Sequence, residues 1–83
     1  MNSHFCPNIV EIHACGDYSV QVEFADGVIK VCDLSGHLER GVFKAFRDKD
    51  LFERVHVEHG AAVWTDKIDI APEYLYEHGT TLT

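Results

Sequence analysis

Six histidines and three cysteines in 83 residues are the side chains best equipped for chemistry. A zinc site needs three or four of them converging tetrahedrally, and structural sites show close Cys or His pairs. No Cys-x-x-Cys occurs. The nearest approximations are His4-x-Cys6, which share a face if the segment is extended, and His56-x-x-His59, whose rings meet only through a turn at Gly60. His4, Cys6, His56 and His59 are thus the candidate metal ligands. The plainer reading makes His13 and His56 solvated strand positions and the cysteines small fillers. It carries more weight, so neither a metal nor any other cofactor is assigned.

Other chemistries find fewer residues. A Cys–His nucleophile would use Cys32 or Cys15. Cys15 lies in a turn beside Asp17, and a neighbouring carboxylate raises a thiol pKa rather than lowering it. Among the carboxylates, Asp26 is explained by its turn and Asp33 by capping the segment that follows. Asp17 adjoins a turn glycine. Only Asp69 lacks a local structural task, and one carboxylate is not a mechanism. No catalytic residue is assigned. Tyr74 and Tyr76 differ from the other aromatics, because residues two apart on a helix cannot both face a core. They are the candidate partner-contact residues.

The elements that must position these groups are legible from periodicity. Tyr18 to Leu34 alternates apolar and polar residues about Asp26-Gly27, a strong hairpin signal. A two-residue turn predicts Phe24 opposite Ile29 and Val22 opposite Val31. Val20, Val22, Phe24, Ile29 and Val31 then share the buried face, with Ser19, Gln21, Glu23 and Lys30 on the wet one and Cys32 opposite in sense to Val31. Residues 9–14 read as a first strand with Val10, Ile12 and Ala14 on one face, turning at Cys15-Gly16-Asp17. A helical turn runs from Leu34 to Leu38, capped by Asp33 or Ser35 and stopped by Gly41. Two short helices follow over residues 42–54, divided by Asp48 as a cap.

A second hairpin turns on His59-Gly60 and sets Val57 opposite Ala62 and Val55 opposite Trp64. Residues 68–70 form a short strand whose isoleucines share a face. A last helix opens at Pro72, where a missing N–H costs nothing, and stops at Gly79. The expected class is α+β: an antiparallel sheet, made of the three-stranded meander and the second hairpin, covered on one face by short helices. The chain reads as a single domain over residues 1–83, with 1–7 and 80–83 as loose termini.

The succession of Asp17-Tyr18, Phe24-Ala-Asp-Gly27, Val31-Cys-Asp-Leu34, Gly41-Val-Phe43, Leu51-Phe52, Val63-Trp64 and Ile70-Ala-Pro-Glu-Tyr-Leu-Tyr76 resembles the small bacterial domain-of-unknown-function family numbered 2442. The resemblance runs from Ile9 to Glu77. It implies a compact α+β domain of about this length, without established catalytic residues to carry over. It also implies a neighbouring small gene, in an arrangement like a toxin–antitoxin pair. Ala71 stands where the family usually has a polar residue before the final Pro-Glu, which predicts a weaker cap on the last helix.

Composition sets the class of partner. The 46% hydrophobic and 25% charged content is ordinary for a globular chain. A net charge of −7 with scattered basic residues repels phosphate backbones, so direct nucleic-acid binding is not expected. No apolar run approaches bilayer-spanning length, and the N-terminus lacks the basic and apolar regions of a signal peptide. Three cysteines cannot pair completely within one chain, which favours a reducing cytoplasm. The expected function is a soluble, cytoplasmic, non-enzymatic protein-interaction module. Its partner would be a small protein from a neighbouring gene, or a second copy of itself. A small-ligand or metal-responsive domain is the alternative, and an enzyme of unknown class ranks third.

Overall fold

The computed structural model describes residues 7–82. Strands β1 (Ile9–Cys15), β2 (Ser19–Phe24) and β3 (Ile29–Asp33) come first. Two 3-10 segments, Ser35–His37 and Gly41–Arg47, lead to helix α1 (Lys49–Phe52). Strands β4 (His56–Glu58), β5 (Ala61–Thr65) and β6 (Ile68–Ile70), helix α2 (Pro72–His78) and strand β7 (Thr80–Thr81) complete the order. The α+β class is as expected, with the strands divided between two antiparallel sheets, β1-β2-β3-β7 and β4-β5-β6. Among the described residues no helix is long and apolar enough to cross a membrane.

The Asp26-Gly27 turn has a different length from the one expected. Gly27 has φ +90°, whereas Asp26 is not among the residues with positive φ. A two-residue type I′ turn needs both. Instead Gly27 N–H donates to the Phe24 carbonyl, and Phe24 N–H donates to the Val28 carbonyl, both at 2.9 Å. This is the three-residue loop, a tight turn closed by a left-handed glycine. It shifts β3 by one residue, so Val22 lies opposite Lys30, Gln21 opposite Val31 and Glu23 opposite Ile29. Because side chains alternate, the shift moves every β3 residue to the other face. Cys32 joins Val20, Val22 and Phe24 inside, and the expected inward placement of Ile29 and Val31 is corrected to outward.

A bulge makes a similar correction in β1. The register changes between Ile9 and Glu11, which leaves Val10 as the extra residue. Ile9 is buried opposite Phe24 while Val10 is 51% exposed. Ile12 and Ala14 do pack against the core. The chain's end was expected to be loose, but Thr80 and Thr81 pair with Val31 and Lys30, and Leu82 N–H donates to the Ile29 carbonyl at 2.8 Å. At the other end Pro7 is buried.

The second hairpin has the predicted turn. His59 (φ +53°) and Gly60 (φ +79°) are both left-handed, and Val57 lies opposite Ala62. A Cβ on Gly60 would sit 2.6 Å from Asn8 Oδ1, so glycine also allows the hairpin tip to meet the first sheet. There Ile9 N–H donates to the Gly60 carbonyl at 2.9 Å. Asp48 caps α1 by accepting from the Asp50 and Leu51 amides, as predicted, whereas Gly41 opens the second 3-10 segment instead of ending the first. Ala71 gives α2 no side-chain cap.

One core joins the two sheets. Val20, Val22 and Phe24 from the first meet Ala62, Trp64, Ile68 and Ile70 from the second, with Phe46, Phe52 and Leu75 from the helical segments between them. The Trp64 indole N–H donates to the Phe52 carbonyl at 2.9 Å, which satisfies its one buried polar atom.

Candidate functional site

The predicted metal ligands do not assemble. His4 and Cys6 lie outside the described residues. His56 stands on β4 and is exposed, with Nδ1–H donating to the Arg54 carbonyl at 3.0 Å and Nε2 2.6 Å from the Glu58 carboxylate. The Arg54 carbonyl first, and Glu58 second, push the His56 pKa up. An imidazolium donating from both nitrogens has no lone pair for a metal. His59 occupies the adjoining turn, exposed. Among the described residues no group of three or more His, Cys, Asp or Glu could hold a metal ion.

The thiols and carboxylates are similarly dispersed. Cys32 is buried, and desolvation, with a smaller push from Asp33, raises its pKa, so it stays a thiol. Cys15 ends β1 on the outer face, opposite Ser19. Asp33 accepts from the Ser35 amide at 2.8 Å, the bond that chiefly lowers its pKa. Asp69 is exposed opposite Val63 on β5. One surface hollow is lined by Pro7, Glu73, Tyr76 and Glu77, and another by Gly16, Asp17, Tyr18, Lys49, Phe52 and Glu53. Among these described lining residues there is no histidine or cysteine, and Asp69 is in neither.

Tyr74 and Tyr76 straddle the fully buried Leu75, and both are half-buried. Tyr74 stacks on His78 at 4.2 Å between ring centroids and meets the edge of His37. Tyr76 packs edge-on to Phe24 at 4.8 Å and donates its hydroxyl to Asp26 at 2.7 Å. Lys30 explains why a lysine can sit on the inner side of β3. Its ammonium lies 4.2 Å from the Tyr76 ring centroid and donates to the Tyr76 carbonyl, one of the last-turn acceptors that a helix leaves unpaired. Tyr76 therefore holds α2 to the first sheet, while Tyr74 meets the first 3-10 segment through His37.

The outer face of that sheet carries Ile29 and Val31, which alternation about a two-residue turn places inside. Its cross-strand rows are Glu11, Glu23, Ile29 and Leu82, then His13, Gln21, Val31 and Thr80, then Cys15, Ser19 and Asp33. Ile29 and Val31 are half-buried without belonging to the core, and Leu82 is 54% exposed. Glu11 and Glu23 lie directly opposite one another, and neither takes part in an ion pair among the described residues. Ile29, Val31 and Leu82 give the β3 and β7 side its apolar residues, and on β1 and β2 the facing carboxylates Glu11 and Glu23 stand beside His13, Gln21, Cys15 and Ser19. The available signal was the second apolar pair, Cys32 and Leu34. Facing those inward forces Ile29 and Val31 out.

The fold and its surfaces define a small α+β domain of two antiparallel sheets on one core. Over residues 9–81 the chain matches the family described as Protein of unknown function (DUF2442), and it belongs to that family. No curated protein and no solved structure matches it.

Proposed function

We propose that this domain is a non-enzymatic protein-interaction module of the bacterial cytoplasm. Its partner is a small protein encoded beside it, as in a toxin–antitoxin-like gene pair, or a second copy. The observation that carries this reading is the outer face of the β1-β2-β3-β7 sheet, where Ile29, Val31 and Leu82 lie outside the core. Apolar residues gathered on one face and rimmed by polar ones mark association surfaces. A catalytic reading lacks a comparable observation, since among the described residues no three His, Cys, Asp or Glu side chains gather into a metal-holding group and neither surface hollow is lined by a histidine or a cysteine.

Co-expression with the adjacent gene product, followed by size-exclusion chromatography with light scattering, tests the proposal. A stable hetero-complex or a homodimer is expected. A monomer that elutes unchanged in the presence of its neighbour overturns it.

A further inference from the structure

The outer sheet face has a division that limits what can cover it. Glu11 and Glu23 are paired across β1 and β2, Asp33 lies at the end of the last row, and no Lys or Arg occurs in any of the three rows. Like charges directly opposite each other on a sheet repel. The cations that form ion pairs lie elsewhere, Arg47 with Glu39 and Lys49 with Asp17, while Lys30 is bound to α2. Beside the carboxylates, on β3 and β7, Ile29, Val31 and Leu82 form the apolar half.

We propose that this face takes a basic amphipathic helix from a partner protein. Its apolar ridge would lie along Ile29 and Val31, and its Lys or Arg flank over Glu11 and Glu23. The dimensions agree. Alternate residues on a strand are about 6.6 Å apart, close to the rise of four helical residues at about 1.5 Å each. From β3 to β1 is two strand spacings, about 10 Å in all, and a helix with its side chains is about 10–12 Å across. One helix can therefore touch both halves.

A second copy fits less well. Docked symmetrically, it would bring a second Glu11–Glu23 pair to an acidic face, between chains each carrying −7. An anionic lipid surface is repelled on the same ground. The inference rests on the interaction-module reading and specifies its surface and the charge of its partner.

The test uses the full chain, labelled for amide NMR, with three synthetic helical peptides. One has a Leu ridge with Lys flanks, the second has Glu in place of each Lys, and the third keeps Lys but has Ser in place of each Leu. The Leu–Lys peptide is expected to shift amides of Glu11, Glu23, Ile29, Val31 and Leu82 in a saturable, salt-weakened way. The other two should bind at least tenfold more weakly. Glu11→Gln with Glu23→Gln should weaken the Leu–Lys peptide at least fivefold, and Ile29→Thr with Val31→Thr should do so separately. Amide spectra of each variant confirm that it is folded.

Equal binding of the Glu-flanked peptide, shifts centred on α2, or indifference to the Glu11/Glu23 variant would overturn the inference. So would concentration-dependent self-association through these same rows. If the adjacent gene product binds yet leaves these rows unshifted, only this placement fails. If that product and all three peptides fail to bind and the chain stays monomeric, the interaction-module reading fails with it.

Discussion

At Asp26 one carboxylate joins two distant pieces of chain. Oδ1 accepts the Val28 amide at 3.0 Å inside the turn, and Oδ2 accepts the Tyr76 hydroxyl from α2. The hydroxyl, more than the amide, holds the Asp26 carboxyl below its ordinary value. A depressed carboxyl contributes stability that is complete above its unfolded pKa and lost as pH falls through the folded one. Tyr76→Phe should therefore raise the Asp26 pKa toward the ordinary value and flatten that part of the acid limb of stability. NMR titration of the carboxyl and denaturation at several acidic pH values read both effects. The same bond pushes the Tyr76 phenol up. Its contribution is complete below the ordinary tyrosine value and lost as pH rises through the raised one, so Asp26→Asn should lower the phenol pKa in an ultraviolet titration. Next door, Gly27 at φ +90° has open space where a Cβ would go, so the cost of a side chain is conformational. Gly27→Ala should lose about 1–2 kcal/mol in guanidinium denaturation.

Among the elements, β2 and β3 were legible as a pair before their register was. Asp26-Gly27 marks a hairpin in both a two-residue and a three-residue loop, and only the first needs Asp26 to turn left-handed. The β3 stretch permits either, because Ile29 and Val31 make one apolar face while Cys32 and Leu34 make the other. The core decides in favour of Cys32 and Leu34, both buried beside Val20. In the β4-β5 hairpin both residues of the His59-Gly60 turn are left-handed, as a two-residue loop needs, and the predicted register is observed. Val10 was misplaced for another reason. Apolar alternation from Val10 to Ala14 is real, but bulging at that residue lets Ile9 reach the core, and pattern alone carries no sign of a bulge. The Glu11–Glu23 pair is the element-scale liability that follows from this arrangement. Glu11→Lys converts repulsion into attraction and should raise the denaturation midpoint, by about 0.2–1 kcal/mol in stability.

For the molecule as a whole, the class, the order of elements and most core residues could be read from the chain, because each rests on local alternation or helical spacing. The candidate surface could not, since it is defined by what the core leaves out. Leu75 shows how the halves depend on one another. It is fully buried on α2, between Tyr74 near His37 and Tyr76 over Phe24. Leu75→Ala should cost about 2–5 kcal/mol. In a domain this small, whose whole stability is about 4–12 kcal/mol, that is enough to leave a measurable unfolded fraction at 37 °C. Circular dichroism melts would show it as a lowered and broadened transition.

The pairing of β7 with β3 has a kinetic consequence. The chain leaves the first sheet after β3, builds the entire second sheet and α2, and returns only at Thr80 to add the last strand. The meander β1-β2-β3 can form from near neighbours, whereas its fourth strand must wait for a long loop to close. Completion of the first sheet is therefore expected to come last in folding and to reverse first. In native-state hydrogen exchange the Leu82 amide, bonded to Ile29, should exchange through local opening well before the Phe24 amide, bonded to Val28. Each such opening withdraws Leu82 from the outer face and bares the β3 edge, so the apolar half of that face is renewed on the timescale of fraying.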